Sequence, residues 1–84
     1  MKYRDSFYKW GVTEKEADHV IAYDVSYQIQ DSERGNKQYM WVGFNSSGDL
    51  LEVAIELYPE GEEDWAFHAR KAGPEATTYW EKNT

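Results

Sequence analysis

The stretch from Gly48 to Ala72 constrains this chain more than any other. Two runs of alternating polarity flank a polar loop containing Gly61, which is the pattern of an antiparallel hairpin. In the first run Leu51, Val53, Ile55 and Leu57 share one face, and Glu52, Ala54 and Glu56 share the other. In the second run Trp65, Phe67 and Ala69 alternate with Ala66, His68 and Arg70. Side chains change face at every residue of a strand, so each run has a core face and a second face. Matching the core faces sets the register. It predicts Leu57 opposite Trp65, Ile55 opposite Phe67 and Val53 opposite Ala69. The second face then carries Glu52 beside Arg70 and Ala54 beside His68. One hairpin thus yields a core wall and a surface with two carboxylates, an imidazole and a guanidinium.

The residues before the hairpin begin as helix and end as strand. Asp5 to Trp10 spaces Phe7 and Trp10 onto one face, and Gly11 is a C-terminal stop. Thr13-Glu14-Lys15-Glu16 has the capping-box pattern, in which Thr13 caps and Glu16 reaches back to its amide. Val12 staples onto the next turn. Ala17, Val20 and Ile21 form the buried stripe of a second helix, with Glu14, Lys15 and Asp18 outside. Strand alternation starts near Asp24. Val25, Tyr27 and Ile29 alternate with Ser26, Gln28 and Gln30, and Asp31 to Lys37 makes a turn. Tyr39, Trp41 and Gly43 then alternate with Met40, Val42 and Phe44, and Asn45 to Asp49 is a hairpin loop. Pro74 suits the first turn of a closing helix through Tyr79 and Trp80. The expected fold is a single α+β domain over residues 1–84: two short N-terminal helices, a four-stranded antiparallel meander and a C-terminal helix.

His68, Arg70, Glu52 and Glu56 form the one polar cluster that this register assembles. A bidentate guanidinium such as Arg70 suits a phosphate. An imidazole such as His68 moves protons near neutral pH. The plain alternative is a solvated cross-strand ion pair, worth only ~0.2–1 kcal/mol. Lys9 beside Trp10 combines a cation with an aromatic, the means by which single-stranded RNA is held. Its alternative is a core Trp10 and a solvated Lys9. The chain has no cysteine and two histidines, and His19 has no partners at ligand spacing, so neither a metal nor another cofactor is expected.

The net charge is -7, which excludes a general nucleic-acid coat protein, because phosphate binding draws on basic residues. RNA remains a ligand only through a local basic patch, and the acidic balance suits a basic protein partner. No apolar run approaches a membrane span and the start lacks an apolar signal core, so the chain reads as a soluble cytoplasmic protein.

Four segments occur in order along most of the chain. They are Lys9 to Val12 followed by Glu16 and Ala17, then Val42-Gly43-Phe44 leading to Ser47-Gly48-Asp49-Leu50-Leu51. Next come His68-Ala69-Arg70-Lys71-Ala72 and Tyr79-Trp80-Glu81. On these segments the chain resembles the BrnT family of bacterial type II toxins, small ribonucleases of RelE-like architecture. The resemblance implies a toxin component that cleaves RNA without a metal and meets a cognate antitoxin-like protein. It assigns the matching basic positions to Lys9 and Arg70, with His68 in place of a serine. Read with the cluster above, the candidate catalytic residues are Arg70, His68, Lys9, Glu52 and Glu56. Trp10 stands where the family has a histidine, Asp49 where it has an arginine, and Glu62 to Asp64 in a stretch usually arginine-bearing. These acids support an alternative from another class, a non-catalytic interaction module on the same fold that binds a basic protein. Finally, Met40, Val42, Phe44 and Leu50 lie beside Ala54 on the second face. Were every helix on the Trp41 side, that face would stay open and form a homodimer or a heteromeric complex; the alternative is that the closing helix covers it with Tyr79 and Trp80.

Overall fold

The computed structural model describes all residues, Met1–Thr84. The chain runs β1 (Lys2–Tyr3), a 3-10 helix (Asp5–Trp10), α1 (Glu14–Ile21), β2 (Ser26–Ile29), β3 (Gln38–Phe44), β4 (Leu50–Glu56), β5 (Trp65–Lys71) and α2 (Pro74–Asn83). The sheet has five strands in the order β1-β5-β4-β3-β2. The α+β class and the β2-β3-β4-β5 meander are as expected; the fifth strand is a correction. Lys2 and Tyr3 pair in parallel with Trp65 and Ala66. Two residues are too few to show a strand period, so this element had no sequence signal.

Local chemistry explains the helix ends. Gly11 sits at φ 79, a left-handed conformation, and its N–H bonds to the Tyr8 carbonyl. The Thr13 hydroxyl accepts from the Glu16 N–H, while the Glu16 carboxylate accepts from the Thr13 N–H at 3.0 Å. Both halves of the capping box are therefore made. The 3-10 helix and α1 pack on the face of the sheet built by Leu51, Val53 and Ile55. Phe7, Val12, Ala17 and Val20 join these residues, with Ala66 and Ala69, in the buried core.

The β4–β5 register is split by a bulge. Glu52 pairs with Arg70, Val53 with Ala69 and Ala54 with His68, as matched faces predict. Beyond the bulge Ile55 pairs with Ala66 and Glu56 with Trp65. Phe67 is the extra residue, so the expected pairs Ile55–Phe67 and Leu57–Trp65 do not form. The core instead takes Ala66 and Ala69, both fully buried. Their small side chains leave room for Phe7, whose ring meets Tyr3 edge-on at 4.8 Å. The displaced Trp65 stacks under Arg4 at 4.0 Å.

The second face is not left open. Helix α2 lies along it, with the Tyr79 ring 4.7 Å from Tyr27 and the Trp80 ring 5.2 Å from Phe44. Val42 is fully buried and Met40 and Phe44 are half-buried, so the condition for a partner on that face is not met. Gly43, on the opposite face, is a point of close approach. A Cβ there would lie 2.5 Å from the Tyr23 ring and 3.0 Å from the Val20 carbonyl. Replacing a strand glycine by alanine ordinarily stabilises through the unfolded chain. Here overpacking wins, and Gly43→Ala is expected to destabilise by ~1–3 kcal/mol, read as a lower urea midpoint.

Candidate functional site

The part of the second face not covered by α2 is organised by buried carboxylates. Glu52 and Glu56 are 4% and 1% exposed, although each occupies a position that alternation assigns to the face away from the core. Burying a charge is costly unless it is paired and hydrogen-bonded. Both are. The Glu52 carboxylate accepts from His68 Nε2 at 2.8 Å, from Arg70 Nε at 3.2 Å and from the Gly73 N–H at 2.7 Å. Gly73 precedes α2, so this one carboxylate ties the helix start to β5. A Cβ at Gly73 would lie 2.6 Å from Arg70 Nη2, so the bare backbone is what lets the guanidinium lie there. Burial alone would push the Glu52 pKa up. The bonds from His68, Gly73 and Arg70 outweigh it and hold the pKa down to about 2.

An ionised carboxylate only accepts, so His68 Nε2 carries the proton in this bond. In the neutral imidazole Nδ1 is then the free lone pair, with no protein partner. Arg70 spends only Nε on Glu52, and its side chain is 44% exposed. Of the cluster, Glu52 and Arg70 line a cavity of about 430 Å³ together with Tyr27, Ile29, Met40, Gly73, Pro74 and Glu75, and His68 lies outside that lining. Burial, with Glu75 and Glu52 nearby, pushes the Tyr27 hydroxyl up to about 12, so it stays a neutral donor. The arrangement therefore offers an oriented base, a guanidinium for an anion and an apolar wall.

The other two candidates stand apart. Glu56 shares the face but is closed off by the turn between β2 and β3. Arg34 donates to it through Nε at 3.1 Å and through Nη2 at 2.7 Å, and Asn36 Nδ2 donates at 2.9 Å. The Arg34 bonds, with help from Asn36, hold the Glu56 pKa at about 2, and no edge of the carboxylate is left for proton transfer. Glu56 is a structural clasp. Lys9 lies on the 3-10 helix, which packs on the opposite face of the sheet, and its ammonium rests 5.1 Å from the Trp10 ring. Trp10 is 57% exposed and is not core. The structure thus brings together Glu52, His68 and Arg70, and separates Lys9 from them. Sequence reasoning missed Gly73, Arg34, Asn36 and Tyr27. The glycine before Pro74 was a visible signal for a helix start, but nothing in the spacing pointed Arg34 at Glu56.

No group of three or more His, Asp or Glu side chains converges in a way that could hold a metal ion. No helix is long and apolar enough to cross a membrane. Compared with protein-family models, curated proteins and solved structures, the chain matches none of them.

Proposed function

We propose that this chain is a BrnT-like toxin component that cleaves RNA without a metal at the Glu52–His68–Arg70 cluster. One observation carries the reading. A buried, ionised carboxylate holds the proton-bearing nitrogen of His68 and the Nε of Arg70, leaving a ring lone pair and guanidinium nitrogens for a substrate. In the proposed step His68 Nδ1 takes the proton of a ribose 2′-hydroxyl. The 2′-oxygen attacks phosphorus, a P–O2′ bond forms and the P–O5′ bond breaks. Arg70 faces the charge that builds on the phosphoryl oxygens. The proton ends on the departing 5′-oxygen, giving a 2′,3′-cyclic phosphate and a 5′-hydroxyl.

The test is expression toxicity together with cleavage by the purified protein. Wild type is expected to arrest growth and to produce those ends in the presence of a chelator. Removing a general base costs about 10²–10⁴-fold, so His68→Ala should lower the cleavage rate by that factor. Arg70→Ala should abolish the arrest while leaving the Glu52 bonds from His68 and Gly73 in place. Folded wild-type protein that neither arrests growth nor cuts RNA would sink the reading.

A second reading is favoured by the placement of charge. Lys9 lies across the sheet from Arg70, and Glu75 lines the cavity instead. Glu60, Glu62 and Glu63 are exposed in the β4–β5 loop. A surface of this sign repels phosphate and attracts cations. On this reading the domain is a non-catalytic interaction module for a basic protein. Salt-dependent binding of a basic peptide, without RNA binding at low salt, separates the two.

A further inference from the structure

The sheet ends on β2, which has a neighbour on one side only. In an antiparallel pair, residues alternate between those bonded to the partner strand and those whose N–H and C=O point away. The Val42 N–H bonds to the Val25 carbonyl, so Val25 belongs to the bonded set. In the same register Tyr27 lies opposite Met40 and Ile29 opposite Gln38, and both follow Val25. The backbone groups of Ser26 and Gln28 therefore face outward along the free edge. Natural sheets protect such edges with lysine, proline or a bulge. Ser26-Tyr27-Gln28-Ile29 has no lysine or proline, and its pairing with β3 is regular.

Alongside the edge lies a cavity of about 460 Å³ lined by Tyr27, Pro74, Glu75, Thr78, Tyr79 and Lys82. All belong to β2 or α2, so the cavity adjoins the open side of the sheet and not its interior. We infer that β2 is a docking edge for an extended, basic peptide segment of another protein, which adds a sixth strand and lays an apolar side chain in the Tyr27–Tyr79 groove. Main-chain bonds supply the affinity in strand addition, and alternate side chains supply the choice.

Charge decides between occupants. A second copy would bring another body of net charge -7 to the edge. A basic segment meets Asp24 at one end of the strand and Glu75 in the cavity. Of the cations close by, Lys37 is engaged by Asp31 at 3.2 Å, and Lys82 lies at the α2 end of the groove. The inference stands on the edge and the groove. RNA cleavage by the same protein, or its absence, leaves it untouched.

The probe is an acetylated, amidated heptapeptide alternating lysine and valine, titrated into isotope-labelled full chain and followed by NMR. The expected result is salt-dependent binding that moves the Ser26 and Gln28 amides and slows their exchange. Gln28→Pro removes an outward N–H that the β2–β3 ladder does not use, a position where edge strands tolerate proline. It should weaken binding at least about tenfold. Gln28→Lys keeps the backbone whole and should weaken binding by putting a cation at the edge. The inference is overturned by no binding up to about 1 mM, by equal binding of the glutamate–valine counterpart, or by binding that both variants leave unchanged. A dimer of the free protein paired through β2 would overturn it in favour of a second copy.

Discussion

Phe7→Ala is expected to lower stability by ~3–5 kcal/mol, the usual cost of removing a buried phenyl ring and leaving the space behind. Phe7 is fully buried and is the largest side chain with no exposure. It is also the one buried residue of the 3-10 helix, which it ties to the sheet through a core shared with Leu51, Val53 and Ala69. A domain of this length has roughly 4–12 kcal/mol in total, so the loss takes a large share of it. At about 4–8 °C per kcal/mol, the melting temperature should fall by tens of degrees or the variant should fail to fold. Phe7→Leu keeps most of the volume and should cost far less, about 1.5 kcal/mol or under. A drop of less than about 1 kcal/mol for Phe7→Ala in urea unfolding would show that Phe7 does not anchor the helix.

Acid is expected to unfold this protein through the second face. Glu52 and Glu56 have folded pKa values of about 2, against an ordinary value of 4.5. The folded state therefore holds fewer protons than the unfolded state below the ordinary value. Such groups contribute stability that is present above pH 4.5 and is lost as pH falls toward 2. The physical events are distinct. Protonating Glu52 removes the charge that strengthens the bonds from His68, Gly73 and Arg70 and so loosens the hold on the start of α2. Protonating Glu56 gives up the two Arg34 bonds and frees the β2–β3 turn. The expected measurement is a urea midpoint that is flat at neutral pH and falls steeply across this window. Glu56→Gln should be less stable than wild type at neutral pH and should show a shallower fall. An equal slope for the two proteins would show that the clasp is not linked to folding.

The sequence alone determined the features that depend on neighbours along the chain. The capping box at Thr13, the stop at Gly11, the helix start at Pro74 and the period-two strands all follow from contacts within a few residues. The Glu52–Arg70 and Ala54–His68 pairings were legible too, because matched core faces admit one register near the middle of the hairpin. Tertiary structure decided the rest. Alternation preferred the bulky Trp65 and Phe67 for the core, but the space under β5 was already taken by Phe7 from the far end of the chain. Alanines fit there, and a bulge moved the aromatics aside. The strand at Lys2 and Tyr3 exists only because β5 offers it an edge. Glu52 and Glu56 read as surface acids, yet Gly73 and Arg34 arrive from elsewhere in the fold to bury them. Lys9 read as part of the site, yet the sheet lies between them. In each case the deciding partner is distant in sequence, so no local period records it. What fixes the outcome is volume in the core and the need of a buried charge for donors, and both are properties of the folded whole.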